Sequence, residues 1–189
     1  MHLRLPDFTA DGVLPEGGFE LTLDELRESM LVKGPGPDYP QWDAAWRKQL
    51  VDNLEILVRE LWEVGVTEIF VDGSFLEDKD HPNDIDGYFE CDWREFVSGA
   101  LQDRLNQLDP HRVWSWDPGE RRPYRSYPKK QLPMWHQYRV ELYPHLPGLI
   151  AGHDCHGNPL EFPAFFRASR RPLPSGATQR GIVKIRRQP

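Results

Sequence analysis

Residues 68–91 constrain the fold more than any other stretch of the chain. Glu68-Ile69-Phe70-Val71-Asp72 is rich in β-formers and stops at Gly73-Ser74, and Asp84-Ile85-Asp86-Gly87-Tyr88-Phe89-Glu90-Cys91 reads as a second strand. Strand side chains alternate, so Asp84 and Asp86 share one face while Ile85, Phe89 and Cys91 point into a core. Two carboxylates therefore converge on one spot beside a Gly-Ser turn.

The flanking segments supply the layers such a sheet needs. Over residues 42–64 the apolar residues Trp46, Leu50, Leu54, Leu57 and Leu61 recur every three or four positions, which predicts a long amphipathic helix ended by Gly65. Asp92 is a cap for a second helix whose stripe is Phe96, Ala100, Leu101, Leu105 and Leu108, broken by Asp109-Pro110. Residues 113–137 read as an ordered loop, with Trp114, Trp116, Tyr124, Tyr127 and Trp135 set among Arg121, Arg122, Arg125, Lys129 and Lys130. Strand character returns in Tyr138-Arg139-Val140-Glu141-Leu142-Tyr143 and closes at Pro144 and Pro147. Beyond Gly152 come a hairpin turn at Asp154-Cys155-His156-Gly157-Asn158, an aromatic stretch (Phe162, Phe165, Phe166), and a last strand over Gly181-Ile182-Val183-Lys184-Ile185. The first forty residues form an arm with a short helix capped at Thr22 or Asp24. The expectation is an α/β (α+β) fold, a small mixed β-sheet flanked by helices. Residues 1–40 pack as an arm on a domain of residues 41–189, a single domain overall, which suits 189 residues with 39% hydrophobic content.

Several function classes fall away. A formal charge of −7 and a pI near 5.5 argue against coating nucleic acid non-specifically, which rests on Lys and Arg neutralising phosphates. Two cysteines, Cys91 and Cys155, make neither a disulfide framework nor a zinc pair. No apolar run has the length of a membrane span and the N-terminus has no signal-peptide pattern, so a soluble cytoplasmic protein without a membrane partner is expected. A calcium loop of the EF-hand type would need an acid where Pro82 stands and a glutamate where Trp93 stands. Gly34-Pro35-Gly36-Pro37 is not followed by the Gly-Lys-Ser/Thr of a P-loop. His153 and His156 belong to a hairpin turn more readily than to a metal site.

The order strand, Gly73-Ser74, loop, Asp84-Ile85-Asp86, then an acid on a third strand in Val140-Glu141-Leu142 resembles the DNA polymerase β-like nucleotidyltransferase superfamily. With the arm Leu14-Pro15-Glu16-Gly17 and the stretches Phe165-Phe166-Arg167 and Arg180-Gly181-Ile182-Val183-Lys184-Ile185, the chain looks like a bacterial family of nucleotidyltransferase-like proteins. The resemblance implies the polymerase β-like fold and transfer of a nucleoside monophosphate from a nucleoside triphosphate to an acceptor hydroxyl on a protein, an RNA or a small molecule. It also implies Mg²⁺ or Mn²⁺ held by Asp84, Asp86 and a third carboxylate, Glu141 or else Glu90. Hard oxygen ligands suit that ion, Gly73 lets backbone approach the phosphates, and Ser74 can donate a hydrogen bond to one. Lys129, Lys130 and Lys184 are the cations expected to reach the nucleotide, and the aromatic loop either stacks its base or plugs the core. The Arg-Gly pair common after Gly-Ser is replaced by Phe75-Leu76-Glu77-Asp78-Lys79. A second reading follows: a weak or inactive nucleotide- or partner-binding module of a toxin and antitoxin or defence pair, with a genomically linked protein partner.

Overall fold

Asp43 opens the longest helix by accepting a hydrogen bond from the Trp46 N–H at 2.9 Å, and the helix, α3 (Ala44–Glu63), buries Leu50, Leu54, Leu57 and Leu61 completely. In this computed structural model, which describes residues 5–154, 156–168, 173–177 and 179–188, that apolar stripe lies against one face of a five-stranded sheet. The strands are β1 (Gly18–Leu21), β2 (Ile69–Asp72), β3 (Ile85–Glu90), β4 (Val140–His145) and, beyond a small hairpin of β5 (Gly152–His153) and β6 (Pro159–Leu160), β7 (Ile182–Ile185). Sheet order is β1-β7-β2-β3-β4. β2 runs antiparallel to both β3 and β7, while β3 with β4 and β1 with β7 are parallel. The architecture is thus mixed α+β around one mixed sheet, as expected.

The sheet has two unlike faces. Ile69, Val71, Ile85, Phe89, Val140, Leu142, Val183 and Ile185 are fully buried in the main core under the helices. Alternation sends Phe70, Asp72, Asp86, Tyr88, Glu141, Tyr143 and Ile182 to the other face. There Tyr88, Phe166 and Ile182 form a second, smaller cluster.

The arm is more than packing. It holds α1 (Leu23–Glu28), where Thr22 and Glu25 make a reciprocal capping box, and α2 (Met30–Lys33), and it places β1 in the sheet beside β7. The helix expected after Asp92 divides into α4 (Trp93–Val97) and α5 (Ala100–Leu108), because Gly99 takes φ 81° between them. Leu101 and Leu105 reach the core, whereas Leu108 is 42% exposed. The loop of residues 113–137 ends in a helix, α6 (Pro133–Tyr138), and the aromatic stretch is also helical, α7 (Phe162–Arg167). Trp114 and Trp135 are fully buried, so these two plug the core. β4 continues through Pro144 because it is an edge strand, where a missing N–H leaves no ladder bond unmade. Among the described residues no helix is long and apolar enough to cross a membrane. Cys155, Arg170 and Arg171 lie outside the described residues.

Candidate active site

β2 ends at the fully buried Asp72, and the chain turns at once into a 3₁₀ turn over Gly73–Leu76. Gly73 has φ 81°, and a Cβ there would stand 2.8 Å from Asp86 Oδ2. Only glycine lets the turn pass this close to the carboxylate. Asp86 pairs in register with Asp72 on one side and with Glu141 on the other. Asp84, just ahead of β3, accepts a 2.7 Å hydrogen bond from Trp135 Nε1 at Oδ2, so the buried indole of α6 fixes its orientation.

Gly73, Ser74, Asp84, Asp86 and Glu141 all border one open cleft of about 850 Å³, within the usual size of small-molecule sites. Arg121, Lys129 and Lys130 from the loop ahead of α6 border it as well, with Arg121 3.6 Å from Glu141. Arg122 and Arg125 do not border it, and the Arg125 guanidinium lies 5.1 Å from the Tyr124 ring.

One expected residue lies elsewhere. Lys184 is not a residue of the cleft. Its register partner is Phe70, two residues up β2 from the Asp72 level, and its ammonium pairs with Glu68 at 2.6 Å. The cation that reaches the cleft from this part of the chain is Arg180, ahead of β7, which is only 6% exposed. Its guanidinium lies 3.4 Å from Asp72, pairs with Glu77, and donates 3.1 Å to the Phe166 carbonyl. It thereby ties both ends of the Gly-Ser turn to α7. In the sequence Arg180 is only the first residue of the stretch leading into the last strand, and the antiparallel register of β7 on β2 is what identifies it.

Glu141 borders the cleft on the expected strand, with its carboxylate oxygens hydrogen-bonded. Oε1 accepts from the Leu132 N–H at 2.8 Å and lies 3.6 Å from Arg121, while Oε2 accepts from the Tyr143 hydroxyl. Among the described residues no group of three or more His, Cys, Asp or Glu is placed to hold a metal ion. Glu90, the alternative third acid, sits at the far end of β3 opposite His145 and does not border the cleft. The donor set at Asp84 and Asp86 still fits Mg²⁺ or Mn²⁺, because such ions in nucleotide sites use one or two carboxylates plus phosphate oxygens and water.

The hairpin reading holds at Asp154, whose carboxylate accepts from the His156 N–H and from Asn158, and those bonds hold its pKa low. Tyr143 is pushed well above the ordinary phenol range by burial first and by Glu141 second. Its hydroxyl keeps its proton and stays a donor to Glu141.

A protein-family model described as a family of unknown function, DUF6932, matches residues 6–186. No curated protein and no solved structure matches the chain.

Proposed function

The chain belongs to the family of unknown function DUF6932, and we propose that it is a nucleotidyltransferase that moves a nucleoside monophosphate from a nucleoside triphosphate to an acceptor hydroxyl. One observation carries this reading: Gly73-Ser74, Asp84, Asp86 and Glu141 share a single cleft with the cations Arg121, Lys129, Lys130 and Arg180. The cleft combines carboxylates that can hold a metal with cationic charge for phosphates, as a metal-bound triphosphate requires. When bound, Mg²⁺ or Mn²⁺ would offset the charge of the triphosphate, and Asp84 and Asp86 are the residues that would hold it.

The chain's own groups do the rest by positioning. Ser74 and the backbone at Gly73 orient phosphate oxygens, and Lys129 and Lys130 hold the remaining charge. The acceptor oxygen forms a bond to the α-phosphorus while the bond to pyrophosphate breaks, and pyrophosphate leaves with that electron pair. The acceptor proton passes to Glu141, after Tyr143 and Arg121 give up their bonds to it. The acceptor belongs to a protein, an RNA or a small molecule.

Calorimetry with ATP and GTP, with and without Mg²⁺, tests the site. Binding should require the metal, and Asp86→Asn should abolish it without lowering the melting temperature, because one of two neighbouring carboxylate charges is removed. Metal-independent binding by the wild type, or full binding by the variant, would count against the assignment.

The hydrogen bonds on Glu141 favour a second reading, a nucleotide- or partner-binding module without turnover, acting with a genomically linked protein. Labelled nucleotide that binds but never moves to any acceptor would select it.

A further inference from the structure

Between residues 121 and 130 stand the cations Arg121, Arg122, Arg125, Lys129 and Lys130 and no acid, in a chain whose acids outnumber its Lys and Arg by 30 to 23. The segment is held in a definite shape. Arg122 and Gln131 exchange backbone hydrogen bonds of 2.9 Å, and the Tyr127 N–H donates to the Tyr124 carbonyl at 3.0 Å, so the chain doubles back as a short hairpin. Tyr124 and Tyr127 pack edge-on against Trp135 at 5.1 and 5.5 Å, and His136 Nε2 lies 3.1 Å from the Arg122 carbonyl. These rings fix the hairpin to α6, through the same indole that orients Asp84.

What this framework presents to solvent is charge. Arg122, Arg125, Lys129 and Lys130 are exposed, and among the described residues none of them forms an ion pair. By contrast, the exposed Lys33, Lys48, Arg59 and Arg104 each pair with a carboxylate. Cations held near one another without counter-charge repel, and a polyanion relieves that repulsion. Lys129 and Lys130 border the cleft, whereas Arg122 and Arg125 do not, so the charge extends beyond what a triphosphate in the cleft touches. We propose that Arg122 and Arg125 bind the phosphodiester backbone of a single-stranded nucleic acid whose terminal hydroxyl is the acceptor, a role that rests on reading the cleft as a triphosphate site. Guanidinium groups suit it, because their fork of N–H donors matches phosphate oxygens in pairs. Transfer extends the strand by one nucleotide, with pyrophosphate leaving and the hydroxyl proton passing to Glu141. The acidic body confines contact to the hairpin, so few phosphates are held.

Fluorescence anisotropy on the full chain tests this with labelled strands of about twelve nucleotides, RNA and DNA, each with a free 3′ hydroxyl. Two to four phosphate contacts on a single strand give a plot of log affinity against log salt with a slope of about −1.5 to −3. The double variant Arg122→Gln, Arg125→Gln weakens the strand about tenfold near about 50 mM salt and takes about 1.4 off the slope. Arg122→Lys with Arg125→Lys keeps the slope. Calorimetry with ATP and Mg²⁺ gives the same affinity for wild type and the glutamine variant, which shows that the variant is folded and that the loss belongs to the strand. The tighter of the RNA and DNA arms identifies the acceptor. Strand affinity unchanged in the glutamine variant, or no strand binding at low salt, would overturn the proposal. So would poly-glutamate of equal charge binding as tightly as the strand, since the hairpin would then be a site for acidic protein. If the strand binds wild type but ATP does not, the triphosphate reading of the cleft fails and the acceptor role with it, while the strand-binding surface stands.

Discussion

Arg47 is fully buried in the first turn of α3, and its guanidinium donates to four carbonyls: Leu31 (2.7 Å), Phe75 (2.8 Å), Glu77 (3.0 Å) and Lys79 (2.6 Å). Burial pulls its pKa down to about 9, so the group holds its charge at neutral pH. One side chain thus pins α2 and the segment after the Gly-Ser turn to the long helix. Arg47→Met keeps volume but strands those carbonyls, and should cost roughly 3 kcal/mol or more, read as a lower urea midpoint. Glu60 is a second buried group, accepting a 2.6 Å bond from Trp114 Nε1. Burial first, and nearby Asp109 after it, raise its pKa to about 7 from 4.5. The folded protein therefore binds a proton that the unfolded chain has already released. This contribution is full below pH 4.5 and is lost as pH rises towards 7, by an amount on the order of 2–3 kcal/mol. Unfolding measured at about pH 5 and about pH 8 should show the decline, and Glu60→Gln should flatten it.

At the scale of elements, legibility followed the strength of the local signal. The stripe of α3 runs over five turns and its ends were read within two residues, because Asp43 caps it and Gly65 follows it. The alternation in β3 identified both the core residues and Asp86 on the opposite face. α6 and α7 were missed for a common reason. Each has a proline in its first turn, Pro133 at the start of α6 and Pro163 second in α7, a residue that reads as a breaker although it is favoured there. Lys184 and Arg180 were exchanged because the side chain that meets the cleft depends on the register of β7 on β2, and no local pattern encodes that. Glu141 was placed on the right strand and face, but its ties to Leu132, Tyr143 and Arg121 come from three separate segments. The β2–β3 pair itself is tightly specified. A Cβ at Gly87 would lie 2.3 Å from the Phe70 carbonyl oxygen, so Gly87→Ala should force the two strands apart beside Asp72 and Asp86. The expected loss is about 2–3 kcal/mol of stability, visible in thermal melts, together with Mg²⁺-dependent nucleotide binding.

Across the whole molecule, the sheet joins distant parts of the chain. β1 comes from the first residues described and β7 from the last, yet they are neighbours, paired Gly18 to Ile182 through Leu21 to Ile185. The arm is therefore part of the domain, and a protein lacking residues 1–40 should expose an edge of β7 and aggregate, as size-exclusion chromatography would report. The same pairing has a consequence for how the protein is made. β7 lies between β1 and β2 but leaves the ribosome after every other strand, so during synthesis the sheet stands split, with β1 waiting on one side and β2-β3-β4 on the other. Arg180 emerges just ahead of β7, and the turn that carries Ser74 receives its clamp only then. A nascent chain interrupted before residue 180 has the two aspartates but neither a closed sheet nor a finished cleft, so completion of the site coincides with completion of the fold.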